Sequence, residues 1–197
     1  ATHGNLNNHI GVPLTLLSMD RSTEFGLVEM GASHCGEIAL LSSIAQPDFG
    51  LITNIGKAHL EGFGGEEGVM RGKGELLDYL LRHKGSAFYL QQSEALCRMV
   101  AERNDLEAIP YSTTDLKLVG NDRQFLTVSW HGHKIRTHLV GEYNLFNLAA
   151  AIAVGTYFDI PEPEIVTAIE SYQPENNRSQ RHATQHNTLI LDAYNAN

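Results

Sequence analysis

LITNIGKAHLEGFGGEEGVMRGKGEL, residues 51–76, decides how the chain is read. Residues 51–55 form an apolar run of strand type. The run breaks into a polar, glycine-rich loop carrying His59 and Glu61. A helical pattern over 66–82 follows, carrying Lys73 and Glu75, with Val69, Leu76, Leu77, Leu80 and Leu81 on its inward face. A buried strand that delivers a histidine into a loop is how open α/β sheets present chemistry, at the carboxyl ends of their strands.

Upstream, residues 25–30 (FGLVEM) read as a buried strand ending in the carboxylate of Glu29, and 31–34 as a tight turn. Residues 36–45 place Ile38, Leu41 and Ala45 on one helical face, Pro47-Asp48 ends that helix, and the next strand starts at Phe49. Strand–helix–strand order predicts a right-handed crossover and a parallel sheet. Glu29 and His59 then fall on the same sheet edge. The opening TH-GNLNN, residues 2–8, is dense in amide side chains before a helix with Ile10, Leu14, Leu16 and Leu17. Turn chemistry accounts for such a loop, since Asn and Gly tolerate left-handed backbone. A polar lining for a ligand rich in hydroxyls and amides is the other reading.

Downstream, residues 86–91 read as a strand and 93–104 as a helix, and the β/α alternation continues to residue 112. The pattern then changes. Three short strand-like runs between about 116 and 140 predict a small antiparallel β meander, with His131-Gly132-His133 as a turn rather than a metal pair. Asn144 and Asn147 lie three apart at the start of an Ala-rich helix over 145–158. A second helix spans 161–172, with proline at its start. Residues 174–181 (PENNRSQR) read as a polar link, and 188–192 (TLILD) as one more strand ending in Asp192. The fold class expected is α/β, a mostly parallel sheet flanked by helices, with a small antiparallel β meander.

The 197 residues carry 14 Lys plus Arg against 23 Asp plus Glu, a net charge of −9. That balance argues against a nucleic-acid surface held by bulk electrostatics. It leaves room for a local cationic pocket. Cys35 and Cys97 sit in no ligand-spaced pattern, so zinc is not indicated. No apolar run approaches the roughly 18 residues of a membrane span, and the opening residues lack the apolar stretch of a signal peptide. A cytoplasmic protein is the expectation. The absence of an initiator Met and the ending DAYNAN read as ends cut from something longer.

Glu29, His59 and Lys73 form the leading constellation, with Asn144, Arg178 and Asp192 behind them. Each has a plain explanation: a solvated strand-end Glu, a loop His with a local hydrogen bond, an exposed helix Lys. The sharper reading needs a metal and a phosphate. Glu oxygen and His nitrogen both bind divalent ions, and Mg²⁺ takes few protein ligands alongside substrate phosphates. Lysine becomes a metal ligand only when CO₂ caps it as a carbamate. No GxxxxGK[ST] loop occurs in the chain, and Gly62-Phe63-Gly64-Gly65 lacks its Lys-Ser/Thr pair.

THGNLNNHIGVPLTLL, VEMGASHCGEI, ITNIGKAHLEGFGGEEGV with RGKGEL, GEYNLFNLAAAIAVG, NNRSQ and LDAYNAN occur in that order from end to end. So arranged, they resemble the Mur ligase family, and within it the branch that joins D-alanyl-D-alanine to UDP-N-acetylmuramoyl-tripeptide. The resemblance implies the family's central, P-loop-NTPase-like ATPase domain over 1–186, lacking its P-loop segment, with the start of a C-terminal domain at 187–197. It implies amide bond formation through an acyl phosphate, with ATP and two Mg²⁺ ions, in bacterial peptidoglycan precursor synthesis. Glu29 and His59 resemble the ligands of the two ions, and Lys73 the lysine carbamylated in several of these enzymes. Asn144 resembles an adenine contact, Arg178 a nucleotide-phosphate contact and Asp192 a ribose contact. Thr2, Asn5, Asn7 and Asn8 would face the muramoyl-peptide. The missing N- and C-terminal domains are the implied partners, and this chain alone is expected to be inactive. A folylpolyglutamate synthase relative shares the His loop and lysine logic, but NNRSQ and DAYNAN argue against it. A non-catalytic fragment and a hydrolase built on His59 and Glu61 are the other readings.

Overall fold

The computed structural model describes residues 1–56, 60–119, 125–174, 180–183 and 187–191. The chain divides into two compact units, Ala1–Pro110 and Tyr111–Asn197.

The first unit holds helices α1 (Gly11–Leu17), α2 (Glu37–Ala45), α3 (Leu60–Phe63), α4 (Glu66–His83) and α5 (Glu94–Ala101). Its strands β1 (Phe49–Leu51), β2 (Ser86–Leu90) and β3 (Glu107–Tyr111) form a sheet in the order β1-β2-β3. β1 and β2 run parallel, with Phe49 opposite Ser86 and Leu51 opposite Phe88. Parallel neighbours need a crossover, and α4 supplies it. Leu77, Leu80 and Val69 of α4 are buried, as their spacing predicts. Lys84 stops the helix in a left-handed conformation, φ 59°. Ser93 caps α5 by accepting from the Leu96 N–H at 3.3 Å. Val12, Ile38 and Leu41 form a cluster beneath Val28, Met30 and Leu76.

Two strand expectations are corrected here. The strand starts at Phe49 as expected but is shorter than the run through residue 55: pairing covers Phe49–Leu51, Ile52 is buried beyond the ladder, and Thr53 and Asn54 are exposed. Residues 25–30 form no strand. Val28 and Met30 do turn inward while Phe25 and Leu27 are 65% and 72% exposed, so the alternation is real. The backbone bonds of this segment go to the opening loop instead: Thr2 N–H donates to Leu27 O (3.1 Å), and Gly31 N–H to Asn7 O (2.8 Å). Glu29 is therefore not at the end of a paired strand.

The second unit contains the expected antiparallel meander, β4 (Lys117–Leu118), β5 (Thr127–Trp130) and β6 (His133–Arg136), in that order. Helices α6 (Asn144–Tyr157) and α7 (Glu162–Ser171) share a core with it, built on Val128, Trp130, Ile135, Leu148, Ile152 and Ile165. β7 (Gln180–Ala183) pairs antiparallel with β8 (Thr188–Leu191). The polar link expected over 174–181 thus already enters a strand at Gln180. Its polar side chains concealed the pairing.

Among the described residues, no helix is long and apolar enough to cross a membrane.

Candidate functional site

Glu29 is exposed, yet it is gripped from two sides by the opening loop. Its backbone N–H donates to the Thr2 hydroxyl oxygen at 2.9 Å. Its Oε1 accepts from Asn7 Nδ2, also at 2.9 Å. The neighbouring Asn8 has a different task. Its Oδ1 accepts from the N–H groups of Ile10 (3.0 Å) and Gly11 (2.9 Å), and Val12 N–H reaches Asn8 O at 2.9 Å. Helical bonding thus begins at Asn8, and its side chain caps α1. Asn5 is exposed, and its carbonyl accepts from Asn7 N–H at 2.8 Å.

The turn after Glu29 is fastened to α2 and α4. Glu37 Oε2 accepts from the N–H groups of Ser33 (2.6 Å) and His34 (3.1 Å), and these bonds hold its carboxyl below the usual carboxylate range. Glu75 of α4 accepts from Gly36 N–H (2.5 Å) and Ala39 N–H (2.9 Å) at the start of α2. Carboxylates there satisfy orphan donors and oppose the positive helix end. A Cβ at Gly62 would lie 2.3 Å from Ser33 O, so α3 passes against the turn that follows Glu29 only because residue 62 is glycine. The side chain of Phe63, 5% exposed, lies on the face of α4 left open by Gly72.

Lys73 follows on α4. Its Nζ donates to the carbonyl of Asn54, just beyond β1, at 2.7 Å. The side chain is half-buried, and that burial pushes its pKa below the ordinary lysine value. The first unit therefore presents a fixed carboxylate at Glu29 and, on α4, an amine bonded to the backbone at the β1 exit. His59, Arg178 and Asp192 lie outside the described residues.

In the second unit, Asn144 is buried (8% exposed). Its Nδ2 donates to Val140 O and its Oδ1 accepts from Asn147 Nδ2, each at 2.9 Å. Each amide atom keeps one further hydrogen-bonding position. The two imidazoles of the β5–β6 turn converge on one carboxylate: His131 Nδ1 lies 2.7 Å from Glu162 Oε1, and His133 Nε2 lies 3.3 Å from Oε2. The His131 hydrogen bond lowers the Glu162 pKa. Among the described residues, no group of three or more His, Cys, Asp or Glu is arranged to hold a metal ion.

The profile of the Mur ligase middle domain matches residues 1–155. The chain belongs to the Mur ligase family. This Mur ligase middle domain is 34% identical to the UDP-N-acetylmuramoyl-tripeptide–D-alanyl-D-alanine ligase of Bacillus subtilis, over 99% of the chain and 43% of that protein. The same-named ligase of Haemophilus influenzae is 32% identical over 100% of the chain and 44% of its own length. The crystal structure of MurF from Acinetobacter baumannii superimposes with a TM-score of 0.84 at 31% identity, covering 100% of the chain and 45% of that structure. MurF from Thermotoga maritima in complex with ADP gives 0.83 at 25% identity, with 99% and 47% covered. The chain spans less than half the length of these relatives.

Several supporting groups in this Mur ligase domain carried no sequence signal of their own. The Asn54 carbonyl is backbone and could not be singled out. The Asn7–Glu29 bond joins residues 22 apart in sequence. Glu75 lies two residues from Lys73 in RGKGEL, and its carboxylate beside a glycine-started helix was the available clue.

Proposed function

We propose that this chain is the central portion of an ATP-dependent amide ligase that joins D-alanyl-D-alanine to UDP-N-acetylmuramoyl-tripeptide in the bacterial cytoplasm. The observation that supports the reading is that Glu75 of α4, the helix that carries Lys73, accepts from Gly36 and Ala39 just after the turn that follows Glu29. Similarity to named ligases along the whole chain supports the substrate assignment.

In the reaction the peptide carboxylate attacks the γ-phosphorus of ATP, and ADP leaves. The amine of D-alanyl-D-alanine then attacks the carbonyl carbon of the acyl phosphate. The tetrahedral adduct collapses to the amide and releases inorganic phosphate, and the amine loses its proton.

The donor chemistry fits Mg²⁺. Glu29 offers a hard carboxylate oxygen at the surface, and Mg²⁺ typically takes one or two carboxylates with substrate phosphates. Two bound ions would neutralise charge on the transferring phosphoryl group, commonly the dominant contribution to such catalysis. Glu29 would hold one ion and His59 the other. Lys73, as a carbamate, would present a carboxylate from α4. Asn144 would meet adenine, Arg178 the nucleotide phosphates and Asp192 the ribose. Thr2, Asn5, Asn7 and Asn8, on the opening loop beside Glu29, would face the muramoyl-peptide. Residues 187–197 would open the C-terminal domain.

The test is phosphate release by the full-length enzyme. Release is expected only when ATP, UDP-muramoyl-tripeptide and D-alanyl-D-alanine are all present, and its absence with the full set would overturn the assignment.

A further inference from the structure

We propose that Asn7 is a positioning residue for Glu29: its side-chain amide holds Oε1 and leaves Oε2 presented to a divalent cation. The inference rests on the reading of Glu29 as a Mg²⁺ ligand and adds to it a residue otherwise placed with the muramoyl-peptide contacts.

Three observations converge. Asn7 Nδ2 lies 2.9 Å from Glu29 Oε1. An ionised carboxylate only accepts, so the amide must present its nitrogen and the orientation is not ambiguous. The backbone around the pair is locked as well. Gly31 N–H donates to Asn7 O at 2.8 Å, and a Cβ at Gly31 would sit 2.8 Å from Asn7 Cγ. A glycine two residues after Glu29 is therefore what lets the Asn7 side chain lie alongside. On the other side, the Thr2 hydroxyl accepts from Glu29 N–H at 2.9 Å, so the residue is clamped at backbone and side chain together.

The bond has little to do for the fold itself. Glu29 is exposed, and the cap of α1 is supplied by Asn8. At a solvated carboxylate water competes for the same bond, so its distinct effect is to fix the rotamer. Groups that orient a metal ligand in this way commonly matter tenfold or more in metal affinity.

The experiment uses the full-length enzyme with ADP and follows Mn²⁺ binding by electron paramagnetic resonance, alongside KM values from phosphate release. Asn7→Ala is expected to weaken Mn²⁺ binding by about tenfold and to leave KM for UDP-muramoyl-tripeptide unchanged. Asn7→Leu keeps the approximate size and cannot donate, so it should weaken binding as much. In a Glu29→Gln background, Asn7→Ala should add no further loss. If Glu29→Gln weakens Mn²⁺ binding but neither Asn7 variant does, or if they raise only the muramoyl-peptide KM, Asn7 is a substrate contact and the proposal is overturned on its own. If Glu29→Gln itself leaves Mn²⁺ binding unchanged, the metal reading of Glu29 fails and the positioning role falls with it.

Discussion

Lys73 shows how one side chain can be read chemically before any ligand is bound. Burial lowers its pKa, so at a given pH more of its amine is neutral than in a solvated lysine. Only the neutral amine attacks CO₂; the N–C bond forms, a proton is lost and a carbamate results. The hydrogen bond to Asn54 O holds the nitrogen at the β1 exit, where the new carboxylate would stand. Full-length enzyme equilibrated with ¹³C-bicarbonate is expected to show a carbamate carbon resonance that Lys73→Arg lacks. No such resonance in the wild type would leave Lys73 as a plain cation. Lys73→Ala should reduce kcat on the order of 10²-fold or more, the scale of losing one electrostatic element from such a site.

At the scale of elements, the glycine-notched helix α4 organises the first unit. Phe63 is 5% exposed and packs where Gly72 leaves room; a Cβ there would stand 2.3 Å from its Cε1. Phe63→Ala is expected to cost about 3–5 kcal/mol, read as a lowered urea midpoint. Gly72→Ala gains helix propensity of about 1 kcal/mol but displaces the ring, so it should destabilise nonetheless, and a stabilised variant would show that the ring moves freely. A second element-level contact is the His131–Glu162–His133 clasp between the β5–β6 turn and α7. Glu162 has a folded-state pKa below its ordinary value of 4.5, so its contribution is present above that value and lost as pH falls through the lowered one. The difference in thermal stability between wild type and Glu162→Gln should shrink as pH is lowered through this window; a difference independent of pH would exclude the linkage. The sequence showed His131-Gly132-His133 as a turn, but Glu162 is 31 residues from His131 and no local pattern joins them. The same limit explains residues 25–30. The apolar composition marked a segment that packs Val28 and Met30 inward, whereas the identity of its backbone partner, here the opening loop, is a tertiary fact. By contrast α4, the meander and the Asn144–Asn147 pair were legible because period, turn residues and i, i+3 spacing are local.

At the scale of the whole molecule, the proposed ligands can be set against what a nucleotide needs. Asn144, the proposed adenine contact, is already bonded to Val140 and Asn147. Glu29, and Lys73 as a carbamate, would offer carboxylate oxygens to a cation. None of these cradles a triphosphate. That task calls for successive backbone N–H groups at a glycine-rich turn with a lysine behind them, and these 197 residues contain no GxxxxGK[ST] loop. On the proposed assignment the chain would offer one metal-mediated contact and one adenine hydrogen bond, set against the translational and rotational freedom lost on association. Calorimetric titration of the 197-residue chain with Mg-ATP should therefore give a Kd no tighter than about 1 mM, near −4 kcal/mol. The full-length enzyme should bind far more tightly under the same conditions. Micromolar binding by the 197 residues alone would mean that the phosphate-holding groups are among them, and would move the nucleotide site onto residues that this reading leaves with structural roles.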